Sequence, residues 1–352
     1  MNSKKELEQI VAPLLVWYAD HKRPLPWRDD PSPYHVWISE IMLQQTRIEA
    51  VIPYYKRFLR ELPDIASLSV VDDDKLMKLW EGLGYYSRAR NLKKAAAQIM
   101  EQHGGNLPES AEELRKLSGI GDYTAGAISS ISFGKPEPAV DGNVLRVVMR
   151  YLGKTDDISL QSTKKETAAS LREIYPEGED ASNLTQAIME LGESVCIPNG
   201  EPKCNLCPLA MQCKAKTEEL TDTIPVKSPK KPRKQEKKTV FLLSCRGRYA
   251  VCKRPSAGLL AKLWEFPNTQ AHLTEQEAFS YLQSLGLSPV GVTPCGDAVH
   301  IFTHIEWHMK GYAVECMTPT DGFVWQSAEE ILKNYAIPTA FRAYTEYMKN
   351  LM

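Results

Sequence analysis

The spacing of apolar residues changes once along this 352-residue chain, and that change constrains the fold more than any other feature. Up to about residue 216 apolar side chains recur at helical intervals, and strand-like alternation is scarce. Tyr34–Phe58 reads as one helical stretch with apolar faces from Val36, Ile41, Leu43, Ile48, Val51 and Ile52, broken or kinked at Pro53. Asp72–Leu79 and Ala89–Met100 read as further short helices. Ser110-Ala111-Glu112-Glu113 is a capping-box pattern opening a helix that runs to Leu117. Glu218–Lys238 is then rich in Lys, Pro and Thr, with Pro225, Pro229 and Pro232 spaced through it, which suits an extended linker. Beyond it, Thr239–Leu243 with Arg248–Cys252 reads as a hairpin, and Val299–Trp307 with Gly311–Glu315 as another. Ser327–Asn334 and Thr339–Met348 read as helices. The expected chain is multidomain: an all-α domain over 1–217, a linker over 218–238 and an α+β domain over 239–352.

Composition is that of an ordinary globular protein, with 43% hydrophobic and 25% charged residues. No apolar secretory h-region opens the chain and no uncharged apolar run reaches the ~18 residues of a membrane span, so a cytoplasmic protein is expected. The net charge of −1 gives no hint of nucleic acid, but phosphate binding needs only a local patch. Lys227–Lys238 offers one, with seven Lys/Arg and one Glu.

Three local patterns carry chemistry. In Leu117-Ser118-Gly119-Ile120-Gly121-Asp122-Tyr123-Thr124-Ala125, within a helix–hairpin–helix over about 114–130, a helix stops, turns tightly and restarts near Asp122. Gly119 and Gly121 let the backbone approach a bulky anion, and the new helix offers N–H groups and a positive dipole end, as a DNA phosphate requires. A glycine-capped helical corner fits the same residues. In Ala139-Val140-Asp141-Gly142-Asn143-Val144-Leu145-Arg146, Asp141 opens an amphipathic helix. It is a natural N-cap, and that position favours the anion a sugar oxocarbenium needs beneath it. In His35–Arg47, Glu40, Gln44 and Arg47 fall at i, i+4 and i+7, on one face of the expected helix. That face is either a solvated stripe or the wall of a cleft. Burial against Trp37 or Ile41 would keep Glu40 protonated, and two carboxyls with separated pKa values can break a glycosidic bond.

Four of the eight cysteines, Cys196, Cys204, Cys207 and Cys213, lie within 18 residues in the spacing C-x7-C-x2-C-x5-C. Four thiolates can hold a [4Fe–4S] cluster or one zinc ion, and spacing alone leaves both open.

These residues together resemble the endonuclease III superfamily of helix–hairpin–helix glycosylases and, within it, the MutY-type adenine DNA glycosylases. The resemblance covers nearly the whole chain. It rests on Leu25-Pro26-Trp27-Arg28, Trp37-Ile38-Ser39-Glu40-Ile41-Met42-Leu43-Gln44-Gln45-Thr46, Gly82-Leu83-Gly84-Tyr85-Tyr86-Ser87-Arg88, the hairpin, Val140–Arg146 and the cysteines. It implies that Glu40 protonates the purine N7, that Asp141 stabilises the sugar cation, and that Tyr123 supports Asp141 and the sugar. Arg28 and Gln186 would contact a flipped adenine. Gln45 and Tyr85 would wedge into the vacated stack, and Thr46, Gly119 and Gly121 would also bind the DNA. In lyase-competent relatives the position of Tyr123 holds the Schiff-base lysine, so a monofunctional glycosylase is expected. The family's cluster spacing is C-x6-C-x2-C-x5-C. This chain therefore carries one extra residue in Ile197–Lys203, and a [4Fe–4S] cluster at 196–213 is the implied cofactor.

Gly258–Pro267 is similar to the opening of a Nudix fold, but the R-E-x2-E-E metal helix is replaced by Thr274-Glu275-Gln276-Glu277-Ala278-Phe279. A Nudix-like domain without hydrolase activity follows. Its Phe302-Thr303-His304 stands where the family's Phe-Ser-His loop reads 8-oxoguanine. The implied function is excision of adenine opposite 8-oxoguanine or G in base excision repair. A monomer acting on duplex DNA is expected, with no membrane and a bacterial nucleoid location. An endonuclease III-type glycosylase/lyase for oxidised pyrimidines and a non-catalytic zinc-containing DNA-binding protein are the competing readings.

Overall fold

The structure is a computed structural model that describes residues 3–229 and 232–352. It divides into two compact units: the chain to Val70 with Asn91–Pro229, and Val71–Arg90 with the chain that follows Pro229.

The first unit is helical. Its core gathers on the helix Gly142–Leu152, where Val144, Val147 and Val148 pack with Leu7, Ile10 and Leu14 of Ser3–His21 and with Leu184, Ile188 and Leu191 of Glu179–Ser194. The expected helix over Tyr34–Phe58 is two helices, Pro33–Leu43 and Ile48–Glu61. The break falls at Gln44–Arg47, where Gln45 takes the left-handed φ of 59°, and Pro53 lies inside the second helix. The polar run Gln44-Gln45-Thr46-Arg47 offers the core nothing to hold, and buried Ile48 restarts the helix. Ser110 caps Ala111–Leu114, its hydroxyl accepting from the Glu113 N–H, and turns rather than helix lead on to Leu117.

Close backbone contacts set where Asp141 emerges. A Cβ on Gly126, in the helix Asp122–Phe133, would lie 2.5 Å from the Pro138 carbonyl oxygen. A Cβ on Gly192 would lie 2.7 Å from the Asn143 Cβ. Both positions admit only glycine without movement, so Pro138–Asn143 is pressed between two helices.

The second unit is a mixed sheet with helices on both faces. Its strands are β1 (Lys234–Cys245), β2 (Arg248–Lys253), β3 (Trp264–Glu265), β4 (Asn268–Thr269), β5 (Pro289–Ile301), β6 (Ile305–Cys316) and β7 (Val324–Gln326). The order is β3-β2-β1-β6-β5, with β4 on β1 and β7 on β2. β1 and β6 run parallel, the other pairs antiparallel. One face is covered by Ile331, Tyr344 and Met348 from Ala328–Asn334 and Arg342–Asn350, the other by Ala278 and Leu282 from Glu275–Ser284. Cover on both faces explains why Lys238–Leu243 is continuously buried instead of alternating.

Three expectations change. The first hairpin is present, closed by Arg246-Gly247 with φ of 49° and 74°. The second turns at Phe302–His304 rather than near His308–Lys310, and Trp307 and Gly311–Glu315 lie on the same strand, β6. The linker expected over 218–238 is much shorter. Ile224 is in the first unit's core, Arg150 donates to the Thr221 and Ile224 carbonyls, and Ile158 N–H donates to Val226 O at 3.0 Å. Lys234–Lys238 already pair with Ile305–Met309, and Lys238 is buried with its ammonium 4.4 Å from the Trp307 ring. Apolar anchors and ladder bonds override the linker-like composition. Lys230 and Lys231 of the basic run lie outside the described residues.

The domain boundary moves too, because Val71–Arg90 packs in the second unit. Asp74 accepts from Lys253 Nζ at 2.8 Å and from Trp264 Nε1 at 3.3 Å. Ile337 N–H donates to Glu81 at 2.9 Å, and Arg90 donates to Ala261 O at 3.0 Å. The capping box at Thr274 is complete, so the Glu277 carboxylate is engaged by the Thr274 N–H and hydroxyl.

Gly126→Ala should destabilise the helical unit by about 1–3 kcal/mol, because the methyl meets a backbone oxygen that cannot swing away. A lower denaturant midpoint at unchanged slope is the expected result in equilibrium unfolding; an unchanged midpoint would show that Pro138 moves freely.

Candidate active site

A cleft of about 880 Å³ in the first unit is lined by Glu40, Tyr123, Asp141, Arg28, Gln186, Gln45 and Thr46. Seven residues from five stretches of sequence thus meet in one place. Gln44 and Arg47 line it as well, but not as a helix face. Gln44 follows the end of Pro33–Leu43 with ψ of 110°, and Arg47 caps the next helix. The turn at Gln45 brings them round. Gln44 Nε2 then reaches Thr124 Oγ1 at 3.3 Å, tying this turn to the hairpin helix.

Glu40 is 6% exposed, among the apolar residues of its helix. Burial drives its pKa up to about 7, with the Asp141 charge adding to the rise and the Tyr123 hydroxyl and Arg28 opposing it. Tyr123 Oη donates to Glu40 Oε2 at 2.6 Å. Tyrosine thus bonds Glu40 directly, a contact that the sequence reading did not give it. Asp141 is the N-cap of Gly142–Leu152, accepting from Val144 N–H at 2.8 Å and from Asn143 Nδ2 at 2.9 Å. Burial raises its pKa above the usual aspartate range, opposed by these donors, the Asn143 N–H and Arg146. The cap alone thus does not set its charge. Asp141 nevertheless has the richer set of donors to its carboxylate, which suits it to the anionic role and Glu40 to the acid.

Arg28 is held on every side. Its guanidinium donates to Gln186 Oε1 at 3.0 Å, to Arg23 O at 2.9 Å and to Glu190 Oε2 at 2.7 Å. Glu190 is 2% exposed and also takes the Arg23 guanidinium. The pair Gln186 and Glu190, at i and i+4 on Glu179–Ser194, was the sequence signal for this network, and Glu190 went unread. Asn143 and Arg146 were also missed as site residues. Arg146 Nη2 donates to Asn143 Oδ1 at 2.8 Å, and its Nε donates to Cys196 O at 2.6 Å.

At the hairpin, Gly119 has φ of 78° and Gly121 is the N-cap of Asp122–Phe133, where no side chain caps the helix. In the second unit, Tyr85 is 46% exposed with φ of 46°, and its hydroxyl lies 2.9 Å from Thr303 Oγ1. Phe302 is packed between His300 and Trp307, at ring distances of 4.5 and 4.8 Å, while Thr303 and His304 are exposed at the turn.

Cys196, Cys204, Cys207 and Cys213 line one small cavity with Arg150, whose Nη1 lies 3.4 Å from Cys196 Sγ. Among the described residues, no group of three or more His, Cys, Asp or Glu side chains is gathered as a site for a single ion. The extra residue is absorbed in a closed loop: Lys203 N–H donates to Val195 O at 3.0 Å, and Gly200 turns with φ of 77°.

Residues 38–177 match the HhH-GPD superfamily base excision DNA repair protein family, and residues 239–347 match the NUDIX domain. The adenine DNA glycosylase of Rattus norvegicus is 33% identical over 96% of this chain and 78% of its own. That of Buchnera aphidicola subsp. Acyrthosiphon pisum is 33% identical over 84% of each chain. The chain belongs to the adenine DNA glycosylase family. A solved non-covalent endonuclease III–DNA complex aligns with 62% of this chain and 99% of its own, at 25% identity and a TM-score of 0.53. This adenine DNA glycosylase family member is therefore a DNA N-glycosylase of base excision repair, with a helix–hairpin–helix domain and a Nudix-like α+β domain.

Tyr123→Phe removes a bond that lowers the Glu40 pKa, so the pKa should rise further above about 7. A single-turnover pH profile should show the alkaline limb displaced to higher pH. An unmoved limb would show that another group carries it.

Proposed function

We propose that this enzyme excises adenine mispaired with 8-oxoguanine, and more slowly adenine opposite G, by acid-assisted hydrolysis without lyase chemistry. One observation carries the reading: a buried carboxyl, its pKa pushed up to about 7 by desolvation, shares a cleft with a capped, donor-rich aspartate. Their different surroundings assign the roles of acid and anion. The adenine substrate is supported by the name of the relatives that match most of the chain.

In this mechanism the adenine nucleotide swings out of the duplex into the cleft, where Arg28 and Gln186 meet the base. Glu40 gives its proton to N7. The C1′–N9 bond breaks with its electron pair leaving on adenine, and the Asp141 carboxylate stabilises the sugar cation until water adds at C1′. Tyr123 offers no amine, so no Schiff base forms. Gln45 and Tyr85 each have left-handed backbone and an exposed side chain, which suits each of them to a wedge in the DNA stack. Thr303 and His304, presented by the anchored Phe302, read the opposing 8-oxoguanine. Duplex DNA is bound by a monomer.

The four cysteines Cys196, Cys204, Cys207 and Cys213 would hold a [4Fe–4S] cluster. Four thiols around one cavity, with the Arg150 guanidinium beside them, suit an anionic multi-iron group. Bound there, the cluster would fix the loop structurally. Anaerobically purified protein should contain ~4 iron and ~4 sulfide per chain. A single zinc without sulfide would contradict this.

Oligonucleotide duplexes test the activity. Free adenine should be released from A opposite 8-oxoguanine faster than from A opposite G, with no borohydride-trapped adduct. Asn caps helices about as well as Asp, so Asp141→Asn should keep the fold yet slow base release by roughly 10²-fold or more. Cutting of thymine glycol with trapping, and no adenine release, would favour an endonuclease III-type glycosylase/lyase instead.

A further inference from the structure

Beside the hairpin lies a second cavity, of about 620 Å³, bordered by Gly121 and the start of Asp122–Phe133. It shares Gln44, Tyr123, Val140 and Lys164 with the cleft that holds Glu40 and Asp141. One wall is the helix Gln161–Arg172, whose Gln161, Lys164, Lys165, Ala168 and Arg172 line the cavity. Spacings of 3, 4, 7 and 11 from Gln161 place them on a single face. Thr163, Thr167 and Leu171 are buried, so the helix is fixed by its other side. The basic stripe is therefore held in place, not carried on a loop.

The charges on this wall are not all matched. Arg115 lies 3.8 Å from Asp122, and Arg172 lies 2.8 Å from Glu137. Lys164 and Lys165 have no carboxylate partner within ion-pair distance among the described residues. Cations left unmatched on a concave wall attract an anion from outside. Lys165 is exposed, whereas Lys164 is half-buried at the boundary of both cavities.

We propose that Lys164 is a phosphate clamp for the rotated nucleotide: it holds a backbone phosphate flanking the target adenosine, between the hairpin and the cleft. A nucleotide swung into the cleft drags its own phosphates to the cleft mouth, and the hairpin holds the strand beyond. A cation common to both cavities meets the linkage between them. Lys165 adds charge to the same strand without reaching into the cleft. The contact distinguishes rotated from stacked nucleotides, because only the former brings a flanking phosphate to this wall. This inference rests on DNA being the substrate.

The test pairs one side chain with one phosphate. The duplex carries a tetrahydrofuran abasic analogue opposite 8-oxoguanine, and each phosphate near it is replaced in turn by a neutral methylphosphonate. Binding is measured for the full-length wild type, Lys164→Ala, Lys164→Gln and Lys164→Arg. Wild type should lose about tenfold affinity when a phosphate flanking the analogue is neutralised, whereas Lys164→Ala and Lys164→Gln should be weakened to a similar extent and lose little more there. Both neutral variants should show a salt slope shallower by about 0.9, and Lys164→Arg should restore it. Neutral variants that keep the full methylphosphonate penalty at both flanking positions would overturn the clamp alone. A wild type that fails to bind the duplex would instead contradict the glycosylase reading.

Discussion

The start of one helix organises the helical unit. Asp141 accepts the Val144 N–H and so opens Gly142–Leu152, whose remaining residues are almost wholly buried. Two arginines of that helix bury their guanidiniums on carbonyls far away in sequence. Arg146 holds Gly192 O and Cys196 O, and Arg150 holds Ile197 O, Thr221 O and Ile224 O. Each such bond is charge-assisted and worth roughly 1.5–3 kcal/mol in place of an unmet buried carbonyl. One helix therefore sets the position of the acidic residue at one end and ties down the cysteine loop and the chain after it.

From that anchor the cleft sets two carboxyls in different surroundings. Glu40 sits on a helix that buries it, with Tyr123 as its hydrogen-bond donor. Asp141 sits where a helix supplies N–H groups and a neighbouring amide. Desolvation acts on both, but Asp141 has more donors against it. Arg28, pinned by Glu190 and Gln186, adds a fixed positive charge to the cleft wall.

Much of this was legible from residue order. Helical spacing, the Gly-Ile-Gly turn and the Asp141 cap each follow from local backbone chemistry, and all three are present. What local pattern could not give were features fixed by distant partners. Gln44 and Arg47 were placed on a helix face because their spacing allows it, yet the helix stops at Leu43 and Gln45 turns the chain. The Lys- and Pro-rich run looked like a linker because composition is blind to Ile224 filling a core and Lys238 lying against Trp307. Glu190 was overlooked because its partners Arg23 and Arg28 are more than 160 residues away, its bond to Arg28 spanning 162. Val71–Arg90 joins the second unit through Asp74, Glu81 and Arg90, whose partners Lys253, Trp264, Ile337 and Ala261 lie beyond residue 250.

The central claim is that Glu40 keeps a proton at neutral pH while Asp141 does not. Carbon-13 NMR of the side-chain carboxyls in the DNA-free protein measures this directly. One glutamate resonance should titrate near pH 7 and vanish in Glu40→Gln, with the Asp141 resonance already that of a carboxylate at that pH. If every glutamate instead titrates at its ordinary value of ~4.3, the division of labour between the two carboxyls is wrong.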